Sequence, residues 1–157
     1  MNEQSSPAPQ GGVVESVNIS ERKTVRKTPG VEGVLIEARG FEGDAHAGDW
    51  HRQVSLLAAE SIEKMVAKGL DVGAGDFAEN ITTRGIDLLQ LPVGTEIVVG
   101  ETLLRITQIG KVCHTKCAIY YQAGDCVMPR EGIFAEVLRG GAVKVGDRVE
   151  VERMGAA

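Results

Sequence analysis

The chain reads as a mostly β protein, a closed barrel carrying one main helix and short additional helices. Three observations predict this. Short apolar runs follow one another along the chain, each ended by glycine, proline or a charged turn. Only one stretch has a sustained helical period. Glycine is abundant, at 20 of 157 residues, while aromatics make up 4%, a mix that suits short strands and tight turns better than a helical bundle.

VVESVNI (13–19) alternates or runs apolar as a strand does, and ERKTVRKTP (21–29) is a charged connection or edge strand ended by Pro29. GVLIEARG (33–40) is the next strand, closed by Gly40. FEGDAHAGDWHRQVSLL (41–57) is a Gly/Asp/His-dense loop feeding an apolar strand. The helix is AAESIEKMVAKGL (58–70): Ile62, Met65 and Val66 share a face, Glu60 and Lys64 form an i,i+4 pair, and Gly69 stops it. GAGDFAENITTRGIDLLQLPVG (73–94) gives loops around short apolar pieces. TEIVVGETLLRITQIG (95–110) is a hairpin turning at Gly100-Glu101. IFAEVLRGGAVKVGDRVEVERM (133–154) is a short helix or strand, then two strands joined at Val145-Gly146-Asp147. One domain over 13–152 is expected, after a disordered leader (1–12) and before a short tail (153–157).

Net charge is −5, which argues against nucleic acid and against an anionic membrane as partners. No run reaches the length of a membrane span, and the polar Pro/Gly/Ser-rich start lacks the features of a signal peptide. The cysteines number three, an odd count, so a cytoplasmic chain with reduced thiols is expected rather than a disulfide framework.

All three cysteines fall in GKVCHTKCAIYYQAGDC (110–126). Cys113 follows Lys111 and precedes His114 and Lys116, neighbours that favour the thiolate. A thiolate can ligate a soft metal or carry an extra sulfur as a persulfide. Cys117 and Cys126 have a plain packing alternative, since free cysteine is often buried. A zinc site is the third reading, with Cys113, His114 and Cys117 completed by His46 or His51, but no second cysteine pair exists.

TEIVVGETLLRITQIGKVC and MPREGIFAEVLRGGAVKVGDRVEV, with the upstream FEGDAHAGDWHRQVSLL and GDFAENITTRGIDLLQLPVG in the same order, resemble the MOSC domain, the C-terminal module of molybdenum cofactor sulfurases. The resemblance spans about residues 13 to 151. It implies a compact β-barrel and one essential cysteine after an Arg-x-Pro-Cys run; here that run is Gly110-Lys111-Val112-Cys113. Cys113 is thereby implied as sulfur carrier or molybdenum ligand, with Lys in place of Arg and Val in place of Pro. Lysine keeps the charge but loses the bidentate fork.

Glu79, Asn80 and Thr82 match the family's Glu-Asn segment and could hold polar edges of a pterin, or could fix their own turn. Lys111, His114, Cys117 and Arg130 complete the expected cofactor-binding set. His46 and His51, with Asp44 and Asp49, have metal-ligand atoms but more commonly such residues shape a loop. The implied cofactor is molybdenum cofactor (molybdopterin), transiently or stably held. The implied partners are a cysteine desulfurase or other sulfur donor, and a molybdenum cofactor or molybdoenzyme recipient. No pyridoxal phosphate is expected on this chain, which lacks that sulfurase domain. The alternatives are a small molybdenum-dependent oxidoreductase acting on N-hydroxylated compounds with an external electron donor, and a zinc-stabilised structural module.

Overall fold

The computed structural model describes residues 11–21, 26–110 and 131–156. Eleven strands form among them: β1 (Gly11–Ile19), β2 (Thr28–Gly30), β3 (Glu32–Ile36), β4 (Gly40–Phe41), β5 (Val54–Ala58), β6 (Ile81–Arg84), β7 (Glu96–Val99), β8 (Thr102–Ile109), β9 (Ile133–Arg139), β10 (Gly141–Lys144) and β11 (Arg148–Arg153). The main sheet runs β11-β7-β8-β9-β5-β6-β1-β2, and β11 also pairs with β1, so seven strands close on themselves with β2 appended. Closure rests on the antiparallel pairs Gly11↔Glu150, Gly12↔Val149 and Val13↔Arg148. β1 thus begins two residues before the predicted domain boundary. A second sheet, β10-β3-β4, stands beside the barrel. Among the described residues the expected barrel forms, with one main helix over Ala59–Ala67 and a short 3-10 turn at Leu88–Gln90.

Period-two alternation explains the core. In β8, Leu104 and Ile106 point inward; from β7 and β5 come Ile97, Val99, Val54 and Leu56, all fully buried. Leu57 points the other way, yet it is equally buried because the helix α1 (Ala59–Ala67) covers that face. There Leu57, Ile62, Met65, Leu70, Phe77 and Phe134 form a second, smaller core. This is why VSLL shows no alternation: both of its faces are dry. Burying a leucine stabilises by roughly 1.5–3 kcal/mol, and Leu56→Ala in the barrel would cost about 2–5 kcal/mol.

α1 buries Ile62 and Met65 of the predicted face but leaves Val66 exposed, and it ends at Gly69 (φ +95), whose N–H donates to the Val66 carbonyl at 2.9 Å. It is the crossover between β5 and β6, the parallel pair in an otherwise antiparallel barrel. The expected Glu60–Lys64 pair does not form. Glu60 instead accepts from the Gly85 N–H at 2.9 Å, and Lys64 pairs with Glu131 at 2.9 Å. Tertiary partners outcompete a surface pair that stabilises by only a few tenths of a kcal/mol.

Tertiary pairing corrects one further expectation and narrows two others. β3 ends at Ile36, before a turn through Ala38 (φ 58), and Gly40 opens β4 rather than closing β3. Residues 133–139 are a strand, because β9 is needed between β8 and β5. The turn at Val145-Gly146-Asp147 exists, but β10 pairs with β3 while β11 pairs with β1 and β7. The hairpin at Gly100-Glu101 forms as expected, Gly100 (φ +58) supplying the positive φ of its first central residue.

Candidate functional site

A buried polar group lies where the end of β1 meets the 42–52 loop and the loop before β6. Lys27 and Asp44 have fully buried side chains, with Nζ 2.8 Å from Oδ1. The Lys27 ammonium also donates to Ser20 Oγ at 3.2 Å and meets His46 Nδ1 at 3.0 Å. Asp44 accepts further from the Ser20 N–H and, through Oδ2, from the His46 N–H, both at 3.0 Å. Burial opposes ionisation of Asp44; the Lys27 hydrogen bond, the two backbone donors and the Lys27 charge together outweigh it and hold the carboxyl below its usual range.

An ammonium has only donors, so His46 Nδ1 accepts and the ring proton is assigned to Nε2. The side chain of His46 is 28% exposed. The Lys27 contact thereby sets the orientation of the ring from behind. This outcome is chemically different from a metal-ligating histidine, whose coordinating nitrogen must carry a free lone pair.

Next to it lies a second network. Glu79 Oε2 accepts from the Gly75 N–H at 3.0 Å and the Thr82 hydroxyl at 2.7 Å. Asn18 Nδ2 donates to Thr82 Oγ1 at 3.0 Å and to the Glu79 carbonyl at 3.1 Å, while Ser16 Oγ donates to Asn18 Oδ1 at 2.6 Å. Asn80 Oδ1 accepts from the Ser55 N–H at 3.0 Å, and its Nδ2 donates to the Asn18 carbonyl at 3.1 Å. The Asn80 amide thus continues the ladder between β5 and β1 just before β6 takes that place. Glu79 Oε1 is buried with no hydrogen-bond partner among the described residues. Burial pushes the Glu79 carboxyl up, against the lowering bonds from Gly75 and Thr82.

Gly75 joins the two networks. Its carbonyl accepts from the Lys27 N–H at 2.8 Å, and its N–H goes to Glu79. Its φ is +86, and a Cβ there would come within 2.3 Å of the Lys27 carbonyl oxygen, so only glycine fits. Ala78 (φ 64) holds a left-handed conformation immediately before Glu79, local strain of the kind that accumulates at functional sites.

The 42–52 loop is tied to the end of β8. His51 Nε2 meets Gln108 Oε1 at 2.8 Å, the Thr107 hydroxyl donates to the His51 carbonyl, and Gln108 Nε2 donates to the Gly110 carbonyl at 2.8 Å. Gly110 in turn donates to the Gly132 carbonyl at 2.6 Å. Cys113 follows Gly110 by three residues. Lys111, Cys113, His114, Lys116, Cys117, Cys126 and Arg130, like residues 1–10 of the predicted leader, lie outside the described residues.

Of the predicted site residues that are described, Glu79, Asn80 and Thr82 come together, but their polar atoms face one another and Gly75, Ser55 and Asn18. Asp44 shapes its loop and holds Lys27. His46 joins that cluster, His51 binds β8, and exposed Asp49 borders a shallow depression of about 370 Å³ with Glu37 and Glu136. Among the described residues no three His, Cys, Asp or Glu side chains gather in a way that could hold a metal ion.

Sequence reasoning missed Lys27. In ERKTVRKTP it looks solvated like its neighbours, and only the nearby Pro29, which confines the segment to a sheet edge, hinted at an ordered placement.

The profile of the MOSC domain matches residues 43–150, more than half of the chain. The chain belongs to the MOSC domain family. The YuaD protein of Bacillus subtilis is similar in structure, with TM-score 0.75 and 20% identity over 90% of this chain and 95% of that one. YiiM of Geobacillus stearothermophilus superposes with TM-score 0.66 and 19% identity over 89% of this chain and 74% of its own. YiiM of Escherichia coli gives TM-score 0.66 and 18% identity over 96% and 73%. At these identities the likeness establishes the barrel. No curated protein sequence matches this MOSC chain.

Proposed function

We propose that this MOSC protein handles sulfur or molybdenum cofactor through Cys113, as a carrier rather than as a complete enzyme. The observation that supports the reading best is the bond chain from the histidine loop through His51 and Gln108 to Gly110, because it ties the loop that carries the Lys27–Asp44–His46 cluster to the start of the cysteine segment.

In the sulfur-carrier form, the Cys113 thiolate attacks the outer sulfur of a donor persulfide. A new S–S bond forms on Cys113, the donor's S–S bond breaks, and the donor leaves as its thiolate, with no net oxidation. Lys111, His114 and Lys116 would favour the attacking anion. The donor is a cysteine desulfurase or another persulfide-bearing protein. The acceptor is molybdenum cofactor or the molybdoenzyme that holds it.

Among the described residues His46 has a partly exposed side chain, whereas Glu79, Asn80 and Thr82 spend their polar atoms within the protein and would support the site from behind. When bound, the cofactor would supply a metal for which a Cys113 thiolate is a suitable soft ligand, with Lys111, Cys117 and Arg130 as further holders.

Incubation with a cysteine desulfurase and cysteine should add one sulfur to the Cys113 peptide by mass, and protein from a molybdate-replete host should be assayed for metal and pterin. Cys113→Ser should abolish the label, or the metal, and leave the barrel folded; Cys117→Ser should weaken it. Full labelling and metal content in Cys113→Ser would refute the assignment.

A further inference from the structure

Gln53 is 4% exposed, and only half of its amide is used. Its Oε1 accepts from the Val137 N–H at 2.9 Å. An N–H needs an acceptor, so this bond fixes which end of the amide is oxygen and leaves Nε2 as a donor. Among the described residues Nε2 meets no acceptor, whereas a buried donor normally has one. Gln53 lines the depression of about 370 Å³ beside His51. With the rest of the side chain buried, that depression is the side from which an acceptor can arrive.

The surroundings of this donor are acidic and aromatic. Glu37, Asp49 and Glu136 line the depression, and no lysine or arginine does. Glu136 is engaged by Arg105. Glu37 and Asp49 are exposed and form no ion pair among the described residues. Trp50 and His51 also line it, their rings edge to face with centroids 6.1 Å apart. Arg52 lies against Trp50, its Cζ 4.6 Å from the ring centroid, but is outside the lining. The shape is held by bonds between elements: the Ala38 N–H donates to the Val137 carbonyl at 3.0 Å, and the Thr107 hydroxyl donates to the His51 carbonyl. Two unpaired carboxylates beside aromatic rings attract a cation and repel an anion. Among the described residues the acids do not gather closely enough to hold a metal ion, so the cation is one carried on an organic body.

We infer that this depression is a binding site for a small organic ammonium ion that also carries a carbonyl oxygen. The ammonium group meets Glu37 and Asp49, and the carbonyl accepts from Gln53 Nε2. An acidic rim alone selects only for charge; the buried amide adds the requirement for an acceptor. Neither feature depends on Cys113. The site touches the function proposed above only through His51, which borders the depression and bonds to Gln108.

Trp50 is the single tryptophan of the chain, so its fluorescence reports occupancy without labelling, and the Gln53 side-chain amide protons, followed by NMR, report the buried donor. N-acetyl-lysine methylamide, its neutral norleucine analogue, and pentylamine, which lacks the carbonyl, are titrated at constant ionic strength. The proteins are the wild type and Glu37→Gln combined with Asp49→Asn, a change confined to exposed side chains. The lysine compound should give a saturable change in both signals of the wild type. The norleucine compound and pentylamine should each bind more weakly, and the double variant should bind the lysine compound about tenfold more weakly. Absence of a saturable response to the lysine compound, equal binding of the norleucine compound, or undiminished affinity in the double variant overturns the inference. So does a fluorescence change with unshifted Gln53 protons, or pentylamine binding as tightly, since either would leave a charged rim with no site behind it. Cysteine labelling enters none of these readouts, so its loss would fault the proposed function and spare this site.

Discussion

Asp44 and Glu79 are both buried carboxylates, and Gly75 lies between their networks, yet their environments pull them in opposite directions. Asp44 has a buried cation at 2.8 Å and its carboxyl is held low. Glu79 has hydrogen-bond donors on one oxygen, none among the described residues on the other, and its carboxyl is pushed up. The comparison teaches that a neutral hydroxyl and backbone amides do not offset full burial, whereas a lysine with two backbone donors does. One acid is a fixed charge that orients His46. The other is a carboxyl that burial pushes toward its protonated form.

The largest break in this comparison is Lys27→Met. It leaves Asp44 buried and unpaired, should cost about 3–5 kcal/mol, and should release His46 from its tautomer. Thermal unfolding and imidazole nitrogen shifts report the two effects separately. Lys27→Met combined with Asp44→Asn should recover most of the stability, because no uncompensated charge remains. The tautomer preference should stay lost. A double variant as unstable as the single would mean that packing, not charge, is what Lys27 contributes.

Gly75→Ala strikes both networks at once. With φ +86 and a Cβ 2.3 Å from the Lys27 carbonyl, it should cost about 2–3 kcal/mol, read as a lower denaturant midpoint at unchanged m-value. An alanine tolerated without loss would show that the close approach is not required.

A subtler effect is expected from pH. Glu79 is raised in the folded state, so its contribution is full below the ordinary carboxylate value of 4.5 and is lost as pH rises through the folded value. Glu79→Gln should therefore gain stability relative to the wild type as pH increases across that window. Asp44 has the opposite sign: its contribution is present above the ordinary range and is lost on acidification through its depressed value. A flat difference between wild type and Glu79→Gln from acid to neutral pH would contradict the Glu79 assignment.

The smallest effect is expected at the half-exposed Arg84, paired with Glu15 and Glu63 across β6, β1 and α1. Arg84→Ala should change stability little, and what change there is should vanish in high salt. A large salt-insensitive loss there would mean that surface pairs outweigh the buried networks.

Much of the barrel was legible because its strands alternate and its turns need glycine. Gly100 and Gly69 were readable as turn and helix stop, and Ile62 and Met65 as a buried face, although Val66, read with them, stays exposed. Glu79, Asn80 and Thr82 were readable as a group, but not the direction of their side chains, because local sequence does not say whether a polar atom meets a neighbouring strand or a ligand. Glu60 and Lys64 misled for the same reason: their partners, Gly85 and Glu131, are distant in sequence.

What this sequence determined by itself is most of the longer strands, the main helix and the family pattern, since periodicity and turn chemistry act over a few residues. What only the tertiary structure decided is which strands pair, and which charged residues lose their water. β10 and β11 are joined by one short turn yet belong to different sheets, and Lys27, one of several cations in its segment, is the one drawn against Asp44 and His46. Both outcomes depend on contacts between residues far apart in the chain, where burial makes a charge costly unless a partner arrives from another element.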